Sequence, residues 1–510
     1  MSRLWRVSGL GLLATLVLAA PALADLGSEV RHAIRGSQIT KGRITVSIRD
    51  VDADQAPLVS ILWDNGKMTT AAETPMIPAS NMKLLTTGAA LHVLGPDFVF
   101  QTKLIRQGSR LIVVGDGDPA FGDPELLKTM TVNGQHGLSI DQFLDLWIKP
   151  VVDSDLDVIT EVIVDDRIFE REYAHPSWPL DQLNRSYCAE VSGFNFHLNV
   201  LHFFPRPTSG GGPPQLTPFE PMASWMNPRN RASSRTSVHD QSNVWIARKT
   251  NTNELTFYGN VKYVYRAPVP VTLHDVPEFF AHLLAERLHD KGVSVQNWRV
   301  ANDDDPIFDG ELIAPIIKTP IAVALKRCNV DSENLYAESL LKRTSHARTR
   351  QPSTWATASG VMRQIVHERL ELASVPSDLI VADGSGLSRD NRVSASTLTR
   401  WLGSFHRDAK LGPMFKASMA VAGENGTMRK RFRNVNLHGA HVQAKSGYIN
   451  QVSCLSGYVT MPDGRCYAFS VLANGLSGPG SVQLAKKLQE RVVSVIAQEL
   501  ASVEITLGGD

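Results

Sequence analysis

Three short motifs that lie far apart in the sequence constrain the fold more than any other feature of the chain. They are Ser80-Asn81-Met82-Lys83, Ser332-Glu333-Asn334 and Lys445-Ser446-Gly447. Together they provide a hydroxyl nucleophile, two amines, a second hydroxyl and an amide, which an acyl-transfer site needs if it has no histidine base. The chain must therefore fold so that these distant segments meet at one pocket.

Ser80 is the predicted nucleophile. The stretch from Ser80 to Leu94 is apolar at helical spacing and ends at Gly95-Pro96, so Ser80 lies in the first turn of a predicted helix. Lys83 follows on the same face, within reach of the Ser80 hydroxyl. A lysine can take the proton of a serine only if its pKa falls towards neutrality, through burial or a nearby cation.

An isolated S-x-x-K pattern is more often an N-capping serine followed by a surface lysine. The chain contains a second copy, Ser339 to Lys342, which fits that ordinary structural role because it lies in the middle of a predicted helix. The other two motifs favour the catalytic interpretation for Ser80.

Ser332 and Asn334 lie where one predicted helix ends and the next begins, and they can equally be capping residues. In an acyl-transfer site, the Ser332 hydroxyl would relay a proton to the leaving amine. The Asn334 amide, which both donates and accepts, would hold Lys83 on one side and the substrate peptide on the other.

The third motif opens a predicted strand, and an ordinary edge strand is the alternative interpretation. Lys445 and Ser446 would bind a terminal carboxylate, and Gly447 would let the backbone lie close to a ligand. The Tyr448 N–H would join the Ser80 N–H as an oxyanion hole.

Residues 1–24 have the pattern of a secretory signal peptide. A basic start is followed by an apolar stretch and an A-x-A cleavage site, Ala22-Leu23-Ala24. We therefore expect an exported, periplasmic protein that contacts a membrane at most peripherally.

Charge and cysteine content narrow the function further. The 52 basic and 51 acidic residues nearly balance, which gives no electrostatic footprint for nucleic acid.

The four cysteines at positions 188, 328, 454 and 466 permit three full disulfide connectivities, and the sequence favours none. Their spacing, and that of the histidines, indicates no metal site. Cys466 is expected to face a residue near 459 across a hairpin turn, so a direct bond between Cys454 and Cys466 is doubtful.

The order of predicted elements indicates an α+β fold. Strands are predicted at 43–50 and 58–63 near one end and at 452–460 and 465–474 near the other, with a final helix from Ser481 to about residue 501. The strand at 43–50 alternates apolar and polar residues, which is typical of a half-buried strand. We predict that residues 25–96 and 301–510 form one split catalytic domain, an antiparallel sheet flanked by helices. Residues 97–300, which are rich in strand patterns, would form an inserted domain or two subdomains.

Several longer segments accompany the three motifs. They are PASNMKLLTTGAALHVLG at 78–95, Gly115-Asp-Gly-Asp-Pro119, Val164-Asp-Asp166 through Phe169, Asp383-Gly-Ser-Gly-Leu-Ser-Arg389, Asn391-Arg-Val-Ser394, and Gly426-Thr427 before Lys430-Arg-Phe432. With these, nearly the whole mature chain resembles the serine penicillin-recognising acyltransferases. Within them it is similar to the D-alanyl-D-alanine carboxypeptidase/endopeptidase family typified by penicillin-binding protein 4, peptidase family S13.

The resemblance implies a transpeptidase/β-lactamase-like domain with an insertion between the first two motifs, and no cofactor or metal. It implies Ser80 as the acyl-enzyme nucleophile, Lys83 as the base, and Ser332, Asn334 and Lys445 as catalytic partners. Substrates would be peptidoglycan stem peptides, cut at D-Ala-D-Ala or at a D-Ala cross-link to a diamino acid, and β-lactams would be covalent inhibitors.

By motif match, Arg389, Asp165 and Phe169 would line the substrate cleft; ordinary turn and core roles are equally open for all three. The third motif is K-S-G where K-T-G is commoner, which keeps the hydroxyl. Tyr448 stands where a small residue often follows, and Asn450 where the family can carry Gln, which bears on cleft width and substrate preference.

A β-lactamase and a non-catalytic peptidoglycan-binding protein of the same fold are the alternatives. The chain has no E-x-x-L-N motif of the kind that deacylates a lactamase.

Overall fold

The computed structural model describes residues 25–53, 56–132, 134–235 and 241–507. The predicted signal peptide at 1–24 lies outside these ranges. None of the helices within them combines the length and the apolar character that crossing a bilayer requires.

The helices and strands follow one another along the whole described chain. The helices are α1 (Leu26–Arg35), α2 (Met82–Leu94), α3 (Pro124–Leu127), α4 (Ile140–Val152), α5 (Val276–Asp290), α6 (Ile321–Lys326), α7 (Asn334–Thr349), α8 (Trp355–Arg369), α9 (Ala395–His406), α10 (Gly412–Ala417) and α11 (Ser481–Leu507). The strands are β1 (Arg43–Asp50), β2 (Val59–Asp64), β3 (Lys67–Thr69), β4 (Val99–Gln107), β5 (Arg110–Val114), β6 (Thr131–Val132), β7 (Gln135–His136), β8 (Val158–Ile159), β9 (Glu161–Asp165), β10 (Val200–Phe203), β11 (Phe219–Glu220), β12 (Arg229–Asn230), β13 (Ser233–Ser234), β14 (Asn243–Arg248), β15 (Leu255–Val261), β16 (Val269–Thr272), β17 (Ser294–Val295), β18 (Trp298–Val300), β19 (Glu311–Leu312), β20 (Ile317–Pro320), β21 (Ala420–Val421), β22 (His441–Ile449), β23 (Val452–Thr460) and β24 (Cys466–Asn474).

One seven-stranded sheet joins the two ends of the chain. Its order is β21-β22-β23-β24-β1-β2-β3, and its pairings are antiparallel. Arg43 of the first strand pairs with Asn474 of the last long strand, so N-terminal and C-terminal segments share the sheet. This confirms the predicted α+β fold with an antiparallel sheet flanked by helices.

Helices cover both faces of this sheet. On one face, Ile44, Val46 and Ile48 pack in a core with residues of α1 and α11. On the other face, the hydroxyl of Ser47 lies 2.8 Å from that of Thr399 in α9. The alternating pattern of β1 predicted a half-buried strand, and that prediction is wrong: the polar face is buried too, because α9 packs on it and Thr399 pairs with the Ser47 hydroxyl.

A second body of structure occupies most of the sequence between α2 and α6. Its largest sheet has the order β18-β9-β5-β4-β19, with β20 also paired to β4. Its core includes residues of the long helices α4 and α5, so it is not built of strands alone. Strand pairing extends this sheet as far as Pro320, beyond the predicted boundary at residue 300.

The elements next to the motifs match the sequence predictions closely. The strands 43–50 and 452–460 begin and end where predicted, and α7 and α11 start at the predicted Asn334 and Ser481. Cys466 faces Thr460, which confirms the expectation of a partner near residue 459. The four cysteines are buried free thiols, so no disulfide crosslinks the described chain.

Candidate active site

Ser80 lies in a single 3₁₀ turn, Ala79–Asn81, that leads directly into α2. The Asn81 amide donates to the Ser456 hydroxyl of the central sheet over 2.6 Å, which ties this turn to β23. The first ten residues of α2, Met82 to Leu91, are all buried, because the helix passes through the core. Ser80 itself keeps partial exposure, so the hydroxyl is reachable while the lysine one turn later is not.

The ammonium group of Lys83 is held by three oxygen atoms. It lies 3.2 Å from the Ser80 hydroxyl, 2.6 Å from the Asn334 side-chain oxygen and 3.0 Å from the Ser385 carbonyl oxygen. The NH₂ group of the Asn334 amide donates to the Tyr187 carbonyl over 2.7 Å. This hydrogen bond orients the amide so that its oxygen faces Lys83. The predicted contact between Asn334 and Lys83 is therefore present.

Ser332 and Lys445 form the opposite side of the site. A π-helical turn ends at Asp331. Ser332 then adopts a left-handed backbone conformation with φ 68°, which changes the direction of the chain before α7 begins. Its hydroxyl accepts a hydrogen bond from the Lys445 ammonium over 2.9 Å. The same ammonium donates to the Ser446 carbonyl over 2.9 Å.

Burial lowers the pKa of both lysines. Each side chain is 0% exposed, and loss of hydration disfavours the charged form. For Lys445 the positive charge of Lys83 adds to the effect of burial, and together they lower its pKa to about 7. Burial thus favours the neutral amine form of Lys83 beside Ser80, without any histidine.

A buried acid positions the carbonyl group that receives Lys83. Glu338 of α7 is 0% exposed and accepts the backbone N–H groups of Gly384 and Ser385 over 2.7 and 2.8 Å. Burial, and next the charge of Asp383, raise the pKa of Glu338 to about 8. Asp383 in turn accepts the N–H groups of Gly386 and Ser388, over 2.8 and 2.6 Å.

This support explains the Asp383–Arg389 segment, which the sequence offered only as a mark of resemblance. Neither Glu338 nor Ser385 was predicted as a site residue. Glu338 lies in the middle of a helix with no motif around it, so the sequence carried no signal for its role.

The third motif lies along the nucleophile turn. A side chain at Gly447 would meet the Pro78 carbonyl oxygen at 2.9 Å and the Ser80 backbone nitrogen at 3.0 Å, so β22 passes close to Ser80. The Ser446 hydroxyl donates to Thr427 over 2.9 Å, and Tyr448 is 58% exposed. This close approach supports the predicted oxyanion hole of the Ser80 and Tyr448 amides, which stays a prediction.

Arg389 lies at the end of β22, where its guanidinium donates to the Asn450 carbonyl over 2.8 Å. It is exposed and therefore available to a ligand at this edge. Its role in substrate binding stays a prediction.

Asp165 and Phe169 lie apart from the motif cluster in their described contacts. Asp165, at the end of β9, pairs with Arg167 over 2.8 Å. Phe169 is 2% exposed, bridges to Ser353 and packs against Gly117. These are the turn and core environments left open by the sequence, and a place for either residue in the cleft stays a prediction.

The second S-x-x-K copy has a different environment. Lys342 is fully buried but pairs with Glu170 over 3.1 Å and lies 4.0 Å from the centroid of the Trp355 ring. The Ser339 hydroxyl accepts from Asn195 over 3.3 Å. In these described contacts the serine and lysine do not meet, in keeping with the expected structural role.

The three-motif cluster offers ammonium groups, hydroxyls and an amide, a set that does not suit a metal cation. The absence of a cofactor stays a prediction from the resemblance.

A family model matches residues 28–496 of the chain, and its description is D-Ala-D-Ala carboxypeptidase 3 (S13) family. The chain belongs to this family. It is therefore a D-Ala-D-Ala carboxypeptidase and a serine-type peptidase, as the sequence predicted.

Two relatives illustrate the similarity. The D-alanyl-D-alanine carboxypeptidase of Actinomadura sp. (strain R39) is 29% identical over 510 residues, 94% of this chain and 88% of that one. The D-alanyl-D-alanine carboxypeptidase DacB of Haemophilus influenzae is 22% identical over 419 residues, 79% of this chain and 81% of that one.

A solved structure shows the same fold. The crystal structure of penicillin-binding protein 4 from Haemophilus influenzae superposes with a TM-score of 0.69 and 19% identity, over 92% of this chain and 99% of that chain. A second structure of that protein, complexed with a β-lactam, gives a TM-score of 0.64 at 20% identity over the same shares of the two chains.

Proposed function

We propose that the protein is an exported, periplasmic DD-peptidase that forms an acyl-enzyme on Ser80 and acts on peptidoglycan stem peptides. One observation carries this proposal: the buried Lys83 amine contacts the Ser80 hydroxyl at 3.2 Å, and the second buried amine, Lys445, contacts the Ser332 hydroxyl at 2.9 Å. Each hydroxyl therefore has its own amine of lowered pKa, as a two-step proton relay requires.

The first step is acylation. Neutral Lys83 takes the Ser80 proton as the oxygen attacks the carbonyl carbon of the penultimate D-alanine, and the oxyanion forms beside the Ser80 and Tyr448 N–H groups. The C–N bond then breaks. The leaving amine takes the Ser332 proton, which Lys445 replaces over the 2.9 Å contact.

The second step is hydrolysis of the ester on Ser80 by water. Between the two steps Lys83 releases the proton that it gained to solvent, and Lys445 takes one from solvent to replace the proton that it gave to Ser332. Neutral Lys83 then takes a proton from the attacking water and returns it to the Ser80 oxygen as the ester bond breaks. Net, one peptide bond and one water molecule are consumed for each turnover, and no redox partner is involved.

Substrate binding follows from charge and exposure at β22. The Ser446 hydroxyl and the Lys445 charge would receive the terminal carboxylate of D-alanine in the carboxypeptidase reaction. Exposed Tyr448 lies farther along the same strand, and the Arg389 guanidinium contacts the Asn450 carbonyl just beyond its end. The second stem peptide of a cross-link would extend there in an endopeptidase reaction.

The same chemistry makes β-lactams inhibitors. Their strained amide would acylate Ser80, and the leaving amine would stay tethered in the adduct, which slows hydrolysis. The β-lactam complex of the Haemophilus influenzae protein, which has this fold, is consistent with such binding.

Intact-mass measurement after exposure to a penicillin tests the acyl-enzyme. We expect one persistent adduct on the mature protein, none on Ser80→Ala, and an unchanged adduct on the matched control Ser339→Ala from the second S-x-x-K. Rapid turnover of the drug would indicate a β-lactamase instead, and the absence of any reaction would indicate a binding protein.

Digestion of defined muropeptides tests the substrate. Monomers ending in D-Ala-D-Ala should lose one D-alanine, and cross-linked dimers should yield monomers, both only with the Ser80 enzyme. N-terminal sequencing of the exported protein should begin at Asp25, which tests the predicted cleavage and the periplasmic location.

A further inference from the structure

Two histidines and one glutamate meet in the inserted body, outside the three-motif cluster. They are His197, His202 and Glu220, and their ligand atoms all lie within 4.8 Å of one another. His197 is buried, His202 is half-buried and Glu220 is exposed. The group is therefore closed on one side and reachable from solvent on the other.

The local fold brings these residues together from three segments. His202 of β10 and Glu220 of β11 are opposite each other in the antiparallel register. His197 precedes β10 in a turn where three successive residues, His197 to Asn199, have positive φ. This turn folds the His197 ring back onto β10, so that the two imidazole centroids lie 4.8 Å apart.

One hydrogen bond sets the orientation of the buried ring. The Nδ1 atom of His197 lies 2.9 Å from the Val200 carbonyl oxygen, which can only accept, so Nδ1 carries the proton. The Nε2 atom then keeps its lone pair for a ligand. A backbone carbonyl bonded to the far nitrogen is the usual support of a metal-binding histidine.

Burial keeps both rings neutral. It lowers the pKa of His197 to about 3 and that of His202 to about 4. Lys128, the cation that disfavours charge on His202, is paired with Glu125 over 2.5 Å.

We propose that His197, His202 and Glu220 form a binding site for a divalent transition-metal ion, with Zn²⁺ as the best match. Two imidazoles and one carboxylate are a donor set that Zn²⁺ takes in tetrahedral geometry, with water in the fourth position. Bonds of about 2.0–2.1 Å place such donors about 3.4 Å apart, so separations of up to 4.8 Å in the present cluster must shorten by up to about 1.4 Å. The exposed Glu220 and half-buried His202 have the freedom to do so.

The ion would clamp the β10–β11 pair to the turn that precedes it. Asn199 of that turn donates to the Asn195 side-chain oxygen over 2.8 Å, and Asn195 donates to Ser339 of α7 over 3.3 Å. The clamp thus lies at the joint between the inserted body and the helix that carries Asn334. It would stabilise this joint and is distinct from the Ser80 chemistry.

Calorimetric titration of the chelator-treated, full mature chain with ZnCl₂ tests the site. We expect one ion per chain, at least about tenfold weaker binding in His202→Gln and in Glu220→Gln, and unchanged binding in the matched surface variant His289→Gln. Co²⁺ in place of Zn²⁺ should give the strong visible absorption of a tetrahedral complex in the wild type only.

Thermal unfolding gives a second readout that does not depend on enzyme activity. Added ZnCl₂ should raise the Tm of the wild type and of His289→Gln more than that of either ligand variant. No binding by the wild-type chain, or equal binding by the wild type and both ligand variants, would overturn the proposal. Neither test uses His197→Gln, because loss of that buried ring can prevent folding.

Discussion

Glu338 accepts the backbone N–H of Ser385 over 2.8 Å, and the carbonyl oxygen of the same residue receives the Lys83 ammonium over 3.0 Å. A carboxylate in α7 thus positions the proposed base through one peptide unit, without touching Ser80 in the described contacts. Because both carboxylate oxygens accept backbone N–H groups, the neighbouring Gly384 is fixed as well.

We expect Glu338→Gln to displace that peptide unit. The amide keeps one acceptor but turns an NH₂ group towards a backbone N–H, which leaves a buried donor without a partner. Such a loss costs about 1–3 kcal/mol of the free energy of unfolding. Acylation by a fluorescent penicillin should slow by about tenfold or more, since Lys83 loses its fixed distance to Ser80.

The control for this variant is Glu424→Gln, which makes the same change at an exposed position. It should leave both the unfolding midpoint in urea and the acylation rate unchanged. Equal acylation rates for Glu338→Gln and wild type would show that this carboxylate does not position the base.

Lys83→Met should remove the base while keeping the volume of the side chain. General base catalysis contributes a factor of about 10²–10⁴, so acylation should fall by that order. The free energy of unfolding should change little, because removing a charge that is costly to bury offsets the loss of the hydrogen bonds that Lys83 donates to Asn334 and Ser385.

Lys342→Met is the matched control, since Lys342 is also fully buried and belongs to an S-x-x-K pattern. It removes the partner of Glu170 and should lower stability, while acylation stays near the wild-type rate. The opposite pattern, slow acylation in Lys342→Met and normal acylation in Lys83→Met, would show that Lys342 of the second S-x-x-K pattern is the base.

Local patterns predicted the site better than they predicted its surroundings. The start of α2, the strand carrying Lys445 and the contact between Asn334 and Lys83 were expected because each depends on neighbouring residues or on a motif of known chemistry. Glu338 was missed, because what makes it important is a contact with Gly384 and Ser385, and no periodicity reports a contact between distant segments.

The limits of the inserted body were unpredictable for the same reason. Strands β19 and β20 are short, and only their pairing with β4 assigns them to its sheet. In β1, the alternation of apolar and polar residues correctly predicted a strand but wrongly suggested that Ser47 is exposed. The helix that covers Ser47, α9, comes from residues 395–406, far away in the sequence. Burial of a polar strand face depends on a partner element elsewhere in the chain.

The pH dependence of acylation should report the lysine pair. Lys445 has a pKa of about 7, lowered first by burial and then by the Lys83 charge, and burial also lowers the pKa of Lys83. While Lys83 holds its proton, Ser80 lacks a base, and the lowered pKa of Lys83 brings its neutral form in as the pH rises. Lys445 must keep its proton to replace the one that Ser332 gives to the leaving amine, and it loses that proton above pH about 7.

The acylation rate should therefore rise with pH as Lys83 loses its proton, and fall again above pH about 7 as Lys445 loses the proton that it passes to Ser332. Stopped-flow measurement with a fluorescent penicillin between pH about 5 and about 9 checks this profile. A rate that falls with increasing pH across that window would contradict lysine as the base, because a lowered lysine pKa makes the neutral form grow with pH.

Gly386 lets the Asp383–Arg389 segment touch the nucleophile turn, and Gly386→Ala should break that contact. The residue has φ +81°, and an added Cβ would lie 1.8 Å from the Ala79 carbonyl oxygen, next to Ser80. Left-handed strain and overpacking together should cost roughly 2–5 kcal/mol of unfolding free energy. Acylation should also fall, since Ala79 must move.

Gly360→Ala is the control, because Gly360 lies in α8 with nothing within 4 Å of the added methyl. It should gain up to about 1 kcal/mol from helix propensity and keep full acylation. Urea unfolding and acylation of both variants check this pair; a Gly386→Ala protein as stable and as reactive as the wild type would mean that this close approach does not hold the nucleophile turn in place.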